Sequence, residues 1–295
     1  MAATVTRVNE ATGTFSERFP ILFDPTGRIA KAEKIIAVLR DYFGDAAADL
    51  TVLDIGSSTG IMTRRFADVF GCVIGIDTDR VGVAHGAEWA GADGVEPAHL
   101  HFCGGDGCLL PLGDATVDAV ICNQVYEHVD DHRALVDEIH RVLRPGGVCY
   151  FGIGTRHVLI EGHYKLPFLS WLPHTVADIY MRLAGKRARY DVTLLSYGNL
   201  RRLVHQFAVV DYTIEVIKHA RRYADGPRGP IRRWVACWPT WLLRAILPLI
   251  PVHVWLLVKP GAGQPAVGRV VDRYQQNPSS AAFQPAGQVS RGDER

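Results

Sequence analysis

The chain has 295 residues, of which 48% are hydrophobic, and its formal net charge is +1 at pH 7. This length fits one elaborated α/β domain, or such a domain with a small cap. Residues 1–155 carry 12 Lys and Arg against 22 Asp and Glu, whereas residues 156–259 carry 16 against 6. Because the basic part also holds most of the tryptophans, within long apolar runs, it indicates an anionic surface as partner and argues against nucleic acid.

The cysteines and the N-terminus set expectations for the compartment. None of the six cysteines belongs to a C-x-x-C pair, so we expect neither a metal site nor a disulfide framework. The N-terminus lacks the basic, apolar and small-residue order of a signal peptide. We therefore predict a cytoplasmic protein, with a peripheral position on the inner face of the membrane as a further expectation.

The first structural signals follow an irregular lead-in, predicted over residues 1–24. Apolar residues at helical spacing predict a helix over residues 27–43. Thr51–Ile55 is apolar, short and bounded by turn residues, which predicts a buried strand. The glycine-rich turn Gly56–Gly60 then leads into a second helix. Such a strand-to-helix turn lets a ligand approach the backbone beside the positive end of a helix, as nucleotides do.

A second predicted strand, Cys72–Asp77, ends in a carboxylate that lies 23 residues after Asp54. A carboxylate at this place can accept hydrogen bonds from both hydroxyls of a ribose, in a dinucleotide or in another nucleoside cofactor. The chain lacks the G-x-G-x-x-G pattern that admits a pyrophosphate, since Ser58 stands at the middle position of the turn. Asp54, directly before the turn, favours a positively charged ligand instead.

The rest of the chain alternates strands and helices, which predicts a mostly parallel sheet. Helices are predicted over residues 80–90, after Asp131, near 176–183 and near 200–207. Strands are predicted over residues 99–103, 117–122, 148–153, 207–217 and 252–259, and residues 261–295 predict a disordered tail.

The stretch Asp54–Gly60 resembles the first motif of class I S-adenosylmethionine-dependent methyltransferases. The stretches Gly105–Leu112, Cys122–Val129 and Leu143–Gly147 follow the same family in order. The likeness covers roughly residues 25–155 and is greatest to the small-molecule branch that includes quinone and sterol methyltransferases. Ser58 departs from the commoner glycine of the motif.

This resemblance implies a fold and a domain organisation. The fold is a Rossmann-like, mostly parallel seven-stranded sheet flanked by helices, with an inserted helical and aromatic cap after strand five. The methyltransferase domain would span residues 25–259, and residues 155–200 would form the cap over a small-molecule or lipid-like acceptor.

The resemblance also implies S-adenosyl-L-methionine as cofactor and a set of residues that bind it. Asp54 and the turn would contact the methionine end, Asp77 the ribose and Asp106 the adenine, while Asn123 lies near the sulfonium. The full implied set is Asp54, Gly56, Ser57, Gly60, Asp77, Thr78, Asp106, Gly107 and Asn123. For Asp106 an ordinary turn role in a Gly-Asp-Gly loop is the alternative.

A hydroxyl acceptor would need a group that takes its proton, and histidine is best matched to neutral pH. His128, at the end of strand four, and His163, at the head of the cap, are the candidates. For each the alternative is a structural or exposed histidine without a catalytic role.

Residues 231–251 are apolar and basic, a composition that suggests contact with a membrane. Three prolines and Arg244 argue against a spanning helix. An interfacial segment fits better, with Trp234, Trp238 and Trp241 at headgroup level; a pocket wall or a dimer contact is the alternative.

Two other functions of the whole protein stay open: a nicotinamide-dependent reductase, and a non-catalytic membrane-surface binding protein on the same fold.

Overall fold

The computed structural model describes residues 23–92, 99–162, 164–186, 190–225, 230–261 and 270–272. Most of the predicted lead-in, and His163, lie outside the described residues. The described residues form one eight-stranded sheet with the strand order β3-β2-β1-β4-β5-β7-β6-β8.

The strands at residues 51–55, 72–77, 100–104, 117–123 and 252–258 lie within one residue of those predicted. The fifth strand begins at Leu143, five residues before its predicted start, because Leu143 already pairs with Val117. In chain order the strands are β1 Thr51–Ile55, β2 Cys72–Asp77, β3 Leu100–Gly104, β4 Val117–Asn123, β5 Leu143–Gly154, β6 Ala208–Asp211, β7 Val252–Val258 and β8 Val270–Asp272. Neighbouring strands are parallel except for β7, which is antiparallel to β5 and to β6. The predicted Rossmann-like sheet of seven strands is confirmed, and β8 adds a short edge strand beside β6. For the three residues of β8, the prediction of a disordered tail over 261–295 is wrong.

Helices lie on both faces of the sheet. They are α1 Pro25–Phe43, α2 Ile61–Ala67, α3 Arg80–Ala92, α4 His132–Val142, α5 His174–Leu183, α6 Tyr197–Leu203, α7 Thr213–Lys218, α8 Pro230–Ala236 and α9 Thr240–Ala245. Helix α1 begins two residues earlier than predicted, because Asp24 accepts a hydrogen bond from the Thr26 N–H at 3.1 Å and Pro25 suits the first helical turn.

Two hydrophobic cores hold the helices to the sheet. On one face, α1 and α2 bury residues such as Ile35 and Phe66 against the strands. On the other face, α4 and α6 bury residues such as Ile139 and Leu200. Buried apolar area stabilises at about 25 cal/mol per Å², so these two layers carry most of the stability of the domain.

Strand six is shorter than predicted. The apolar pattern of residues 207–217 predicts one long strand, but the strand ends at Asp211 and helix α7 follows. The Asp211 carboxylate accepts the backbone N–H of Thr213 at 2.8 Å and the indole N–H of Trp255 at 3.0 Å. A local side-chain acceptor of this kind turns the backbone out of the sheet ladder. The prediction for residues 212–217 is therefore wrong.

A third, smaller hydrophobic cluster follows β5. It consists of Leu169, Ala177, Met181, Tyr190 and Val192, on and around α5. The segment after this cluster contacts the main domain again at Thr193, whose N–H donates to the carbonyl of Glu127 at 2.9 Å. This unit stands where the acceptor cap is predicted.

Candidate active site

The turn after β1 has a backbone that only small residues allow. Gly56 and Gly60 both have φ of +77°. A Cβ at Gly60 would lie 2.6 Å from the Cα of Gly86 on α3, closer than packing permits. Ser58 is also left-handed, with φ of +53°. This geometry explains why glycine is the commoner residue at its place, and shows that serine adopts the same turn.

Asp77 connects the turns that follow β1 and β2. One carboxylate oxygen accepts the backbone N–H of Ser58 at 2.7 Å, and the other accepts that of Asp79 at 2.8 Å. Burial raises the pKa of Asp77, while these two N–H groups lower it. The carboxylate is thus held at the carboxyl edge of the sheet, between the turns.

Asp54 is buried directly beneath the first turn. The Thr63 hydroxyl donates a hydrogen bond to it at 2.6 Å. Burial raises the pKa of Asp54 to about 7, although the Thr63 hydrogen bond and the charge of Arg28 lower it. Near neutral pH this carboxylate therefore changes charge readily, and a cation beside it would favour the ionised form.

Arg28 completes this group and was missed by the sequence reasoning. It lies in the first turn of α1; burial lowers its pKa, and the charges of Asp54 and Asp77 raise it. A cation in the first turn of a helix opposes the helix dipole. That unfavourable position was the signal in the sequence that could have marked Arg28 as functional.

The predicted adenine side lies after β3. Asp106 is exposed, and one of its oxygens accepts the Cys108 N–H at 2.8 Å, which is the turn role weighed above. Gly107 is buried, and a Cβ there would lie 3.0 Å from the side chains of Ile55 and Leu135. A side chain at position 107 would therefore crowd Ile55 and Leu135, which would have to shift slightly. Thr78 is exposed directly after Asp77.

Asn123 ends β4 opposite Gly152 of β5. A Cβ at Gly152 would lie 2.2 Å from the Asn123 side-chain oxygen. The amide therefore occupies the space above Gly152, at the same edge of the sheet as Asp54. Glycine at this position of β5 leaves room for the Asn123 amide, because a larger residue would collide with it.

Tyr126 and His128 share the one-turn helix after β4. Tyr126 is fully buried; its hydroxyl donates to the Gly154 carbonyl at 2.5 Å and accepts the Leu195 N–H at 3.3 Å. It thereby ties the end of β5 to the end of the cap. His128 is exposed.

Comparison with known proteins agrees with this geometry. Residues 53–151 match the family described as Methyltransferase domain. The chain is 29% identical over 186 residues to a ubiquinone biosynthesis O-methyltransferase of Psychrobacter cryohalolentis, covering 57% of this chain and 71% of that protein. It is 43% identical over 97 residues to a probable S-adenosylmethionine-dependent methyltransferase of Mycolicibacterium smegmatis, covering 33% of this chain and 35% of that protein. The chain is a class I S-adenosylmethionine-dependent methyltransferase.

The fold of this methyltransferase recurs among solved structures. A protein of Pyrococcus horikoshii matches with a TM-score of 0.54 at 16% identity, covering 83% of this chain and 98% of that one. This match shows a shared fold and nothing more.

The matching family and the relatives are methyltransferases, and the cofactor is S-adenosyl-L-methionine. The reductase and non-catalytic interpretations of the sequence are therefore rejected.

Two buried hydroxyls test whether the site fits this cofactor. Among the described residues, the hydroxyl oxygens of Ser57 and Ser58 are buried without a hydrogen-bond partner. Buried polar groups nearly always have partners, so a polar ligand at the turn is the expected one. S-Adenosyl-L-methionine carries an ammonium, a carboxylate and ribose hydroxyls, which suit these hydroxyls and the adjacent Asp54, Asp77 and Arg28. The residues present fit the cofactor.

Proposed function

We propose that this methyltransferase acts on an apolar, lipid-like small molecule. The observation that supports this is a group of exposed apolar side chains directly after β5, at the edge of the sheet where the cofactor residues lie. They are Leu159, Ile160, Phe168 and Trp171. Isolated exposed apolar residues are ordinary, but a group of them beside an active site favours an apolar ligand.

We assign the cofactor contacts by charge. Arg28 would bind the methionine carboxylate and Asp54 the ammonium, since Asp54 is buried, Arg28 is half-buried, and each is of opposite sign to its ligand group. Asp77 would accept the ribose hydroxyls with the lone pairs that its two backbone N–H bonds leave over. Asp106 would accept from the adenine amine with its second oxygen, and Asn123 would lie beside the sulfonium.

S-Adenosyl-L-methionine supplies a methyl group that is already activated by the sulfonium. The task left to the chain is to hold an acceptor in line with that group and to exclude water. Tyr126 would help to position the acceptor, because its hydrogen bonds to Gly154 and Leu195 fix the end of β5 against the end of the cap.

The relative from Psychrobacter gives independent support. Its name places it in ubiquinone biosynthesis, and its similarity extends over 57% of this chain. Since quinone precursors are largely apolar, they belong to the acceptor class that the exposed residues after β5 favour.

The test is to incubate the purified protein with methyl-labelled S-adenosyl-L-methionine and a detergent-dispersed total lipid extract. We expect label in the organic phase, where mass spectrometry identifies the product. The Asp77→Ala variant is the control and should leave the organic phase unlabelled at low cofactor concentration. Label confined to water-soluble products would overturn the lipid-like acceptor.

We further propose that His128 takes the proton of a hydroxyl acceptor. His128→Ala should then lower kcat about 10²-fold, the usual loss with a general base, while cofactor affinity stays unchanged. The ascending limb of the rate against pH should disappear with it. A variant with full kcat and an unaltered pH profile would instead indicate carbon methylation or catalysis by proximity alone. The other candidate, His163, lies outside the described residues and stays a prediction.

A further inference from the structure

Residues 232–251, here called the tryptophan segment, are apolar in sequence, but about half of them are exposed and nearly all the others are only half-buried. Of their side chains, all of which the structure describes, only that of Leu243 is buried. Trp234, Trp241 and Leu249 are exposed by 62%, 69% and 62%. Several large exposed apolar side chains in one segment indicate an interaction site, because soluble proteins rarely expose such groups otherwise.

The local structure displays these side chains and does not bury them. Helices α8 and α9 are short and are separated at Pro239, which cannot continue a helix. The rings of Trp234 and Trp238 pack edge to face, with centroids 4.8 Å apart. The Lys218 ammonium donates to the carbonyl of Trp238, which holds α8 to the preceding helix. The tryptophan segment is thus held in a fixed position against the preceding helix.

The tryptophan segment lies at the same edge of the sheet as the cofactor residues. Because β7 is antiparallel, its first residue Val252 pairs with Gly154, the last residue of β5. The segment therefore joins the sheet at its carboxyl edge. Thr155 donates from its N–H to the Pro251 carbonyl at 2.8 Å and from its hydroxyl to the Ile250 carbonyl at 3.2 Å. These bonds attach the segment to the start of the cap.

The cap carries a second exposed apolar surface, on α5. The Arg156 guanidinium donates to the Trp171 carbonyl and the Trp171 indole donates to the Val158 carbonyl, so the start of the cap leads directly to α5. Helix α5 buries Ala177 and Met181 on its inner side. Its outer stripe is also apolar, with Val176, Ile179 and Leu183 exposed by 45%, 50% and 83%. An apolar stripe on the outside of an amphipathic helix has no partner within the cap cluster.

The charge around the tryptophan segment identifies the partner. Residues 213–252 contain seven Lys and Arg but two Asp and Glu. Arg233 is exposed beside Trp234, and Arg232 pairs at 3.4 Å with Asp225, one of the two acids. Tryptophan with arginine is the composition of a surface that lies at the headgroups of an anionic bilayer. A protein partner would not require this excess of positive charge.

We propose that the tryptophan segment and the outer stripe of α5 form one face that docks this methyltransferase on an anionic membrane. The inference rests on the proposed lipid-like acceptor, which would enter from the bilayer at the edge where the cap and the segment meet. None of the described helices is long and apolar enough to cross a membrane. Docking is therefore interfacial, with the tryptophan rings at headgroup depth.

The test is co-sedimentation with vesicles of phosphatidylglycerol and phosphatidylcholine, against vesicles of phosphatidylcholine alone. We expect binding to the anionic vesicles and release in about 1 M salt, where the Debye length is about 3 Å. Trp234→Ser combined with Trp241→Ser should lower the bound fraction at least tenfold, and Arg233→Glu should act in the same direction. Arg133→Glu, an exposed arginine on α4, is the charge-matched control and should bind normally.

The outcomes separate this inference from the proposed function. Wild-type protein that stays in the supernatant with every vesicle overturns the docking face. Size exclusion that shows a dimer lost in the double tryptophan variant would assign the face to a second copy and overturn it too. Because both tryptophans are exposed, the variant should keep its melting temperature and cofactor affinity. If docking fails but detergent-dispersed lipid is still labelled, the proposed function survives alone; vesicle binding without any labelled lipid would overturn the lipid acceptor instead.

Discussion

Replacing Asp54 by Asn is expected to stabilise the cofactor-free protein at pH 7 and to weaken S-adenosyl-L-methionine binding. Burial raises the pKa of Asp54 from 3.8 to about 7, so the folded state holds a proton that the unfolded state has lost. Stability from this group is fully present below about pH 4 and falls as pH rises through 7. The asparagine imitates the protonated form and avoids this loss.

The expected gain at pH 7 is on the order of 4 kcal/mol at most, from a shift of about three pKa units. Loss of the attraction between Arg28 and the carboxylate reduces it, although Arg28 still faces Asp77. Denaturant titrations between pH 4 and 8 measure the effect. The difference between variant and wild type should grow as pH rises, and a constant difference would contradict the assigned burial of charge.

Cofactor binding should change in the opposite direction. Asp54→Asn removes the negative charge that we assign to the ammonium group, which is expected to cost about 1.5–3 kcal/mol of binding. Wild-type affinity should also fall below pH 7, as Asp54 takes up its proton. Asp118→Asn serves as control, because Asp118 pairs with Arg144 and accepts the Thr51 N–H at the opposite edge of the sheet. That variant should bind the cofactor normally in calorimetry.

Asp77→Ala is expected to weaken S-adenosyl-L-methionine binding by about 1.5–3 kcal/mol, since the ribose hydroxyls lose a charged acceptor. Its stability without cofactor should change by less than about 1 kcal/mol, because two effects oppose each other. The N–H groups of Ser58 and Asp79 lose their acceptor, but the cost of burying the carboxylate also disappears.

Asp77→Asn is the matched variant for this site. It keeps one oxygen for a backbone N–H but lacks the charge, so its affinity should fall between those of wild type and Asp77→Ala. Isothermal calorimetry gives all three affinities. Unchanged affinity in Asp77→Ala would remove Asp77 from the cofactor site and would leave its carboxylate as a tie between two turns.

Much of the site could be predicted because its residues stand at the ends of short buried strands. Strands β1 and β2 have the bounds that their apolar runs and flanking turns predicted. Parallel neighbours present their carboxyl ends at one edge, and Asp54 and Asp77 lie at that edge. Their roles towards the cofactor remain proposals. The resemblance added Asp106 and Asn123, which no periodicity would have found.

Other features depend on contacts between distant parts of the chain. The residues after Asp211 are as apolar as a strand, yet hydrogen bonds from Thr213 and from Trp255, 44 residues later, end the strand there. Strand β8 forms because β6 offers it a free edge within the described sheet. Thr213 is a local partner, but neither Trp255 nor the pairing of β8 with β6 is visible in a local window of sequence.

The sequence by itself determined strands β1 to β5 with the helices between them, the glycine turn and the two acids, because each depends on a residue and its immediate neighbours. Only the tertiary structure decided the environment of those acids. It buried Asp54 against Thr63, brought Arg28 from α1 towards both carboxylates, and raised the pKa of Asp54 to about 7. It also left Trp234 and Trp241 exposed, and among residues 232–251 it buried only Leu243. Burial and charge coupling are sums over residues far apart in the chain, and folding alone brings those residues together.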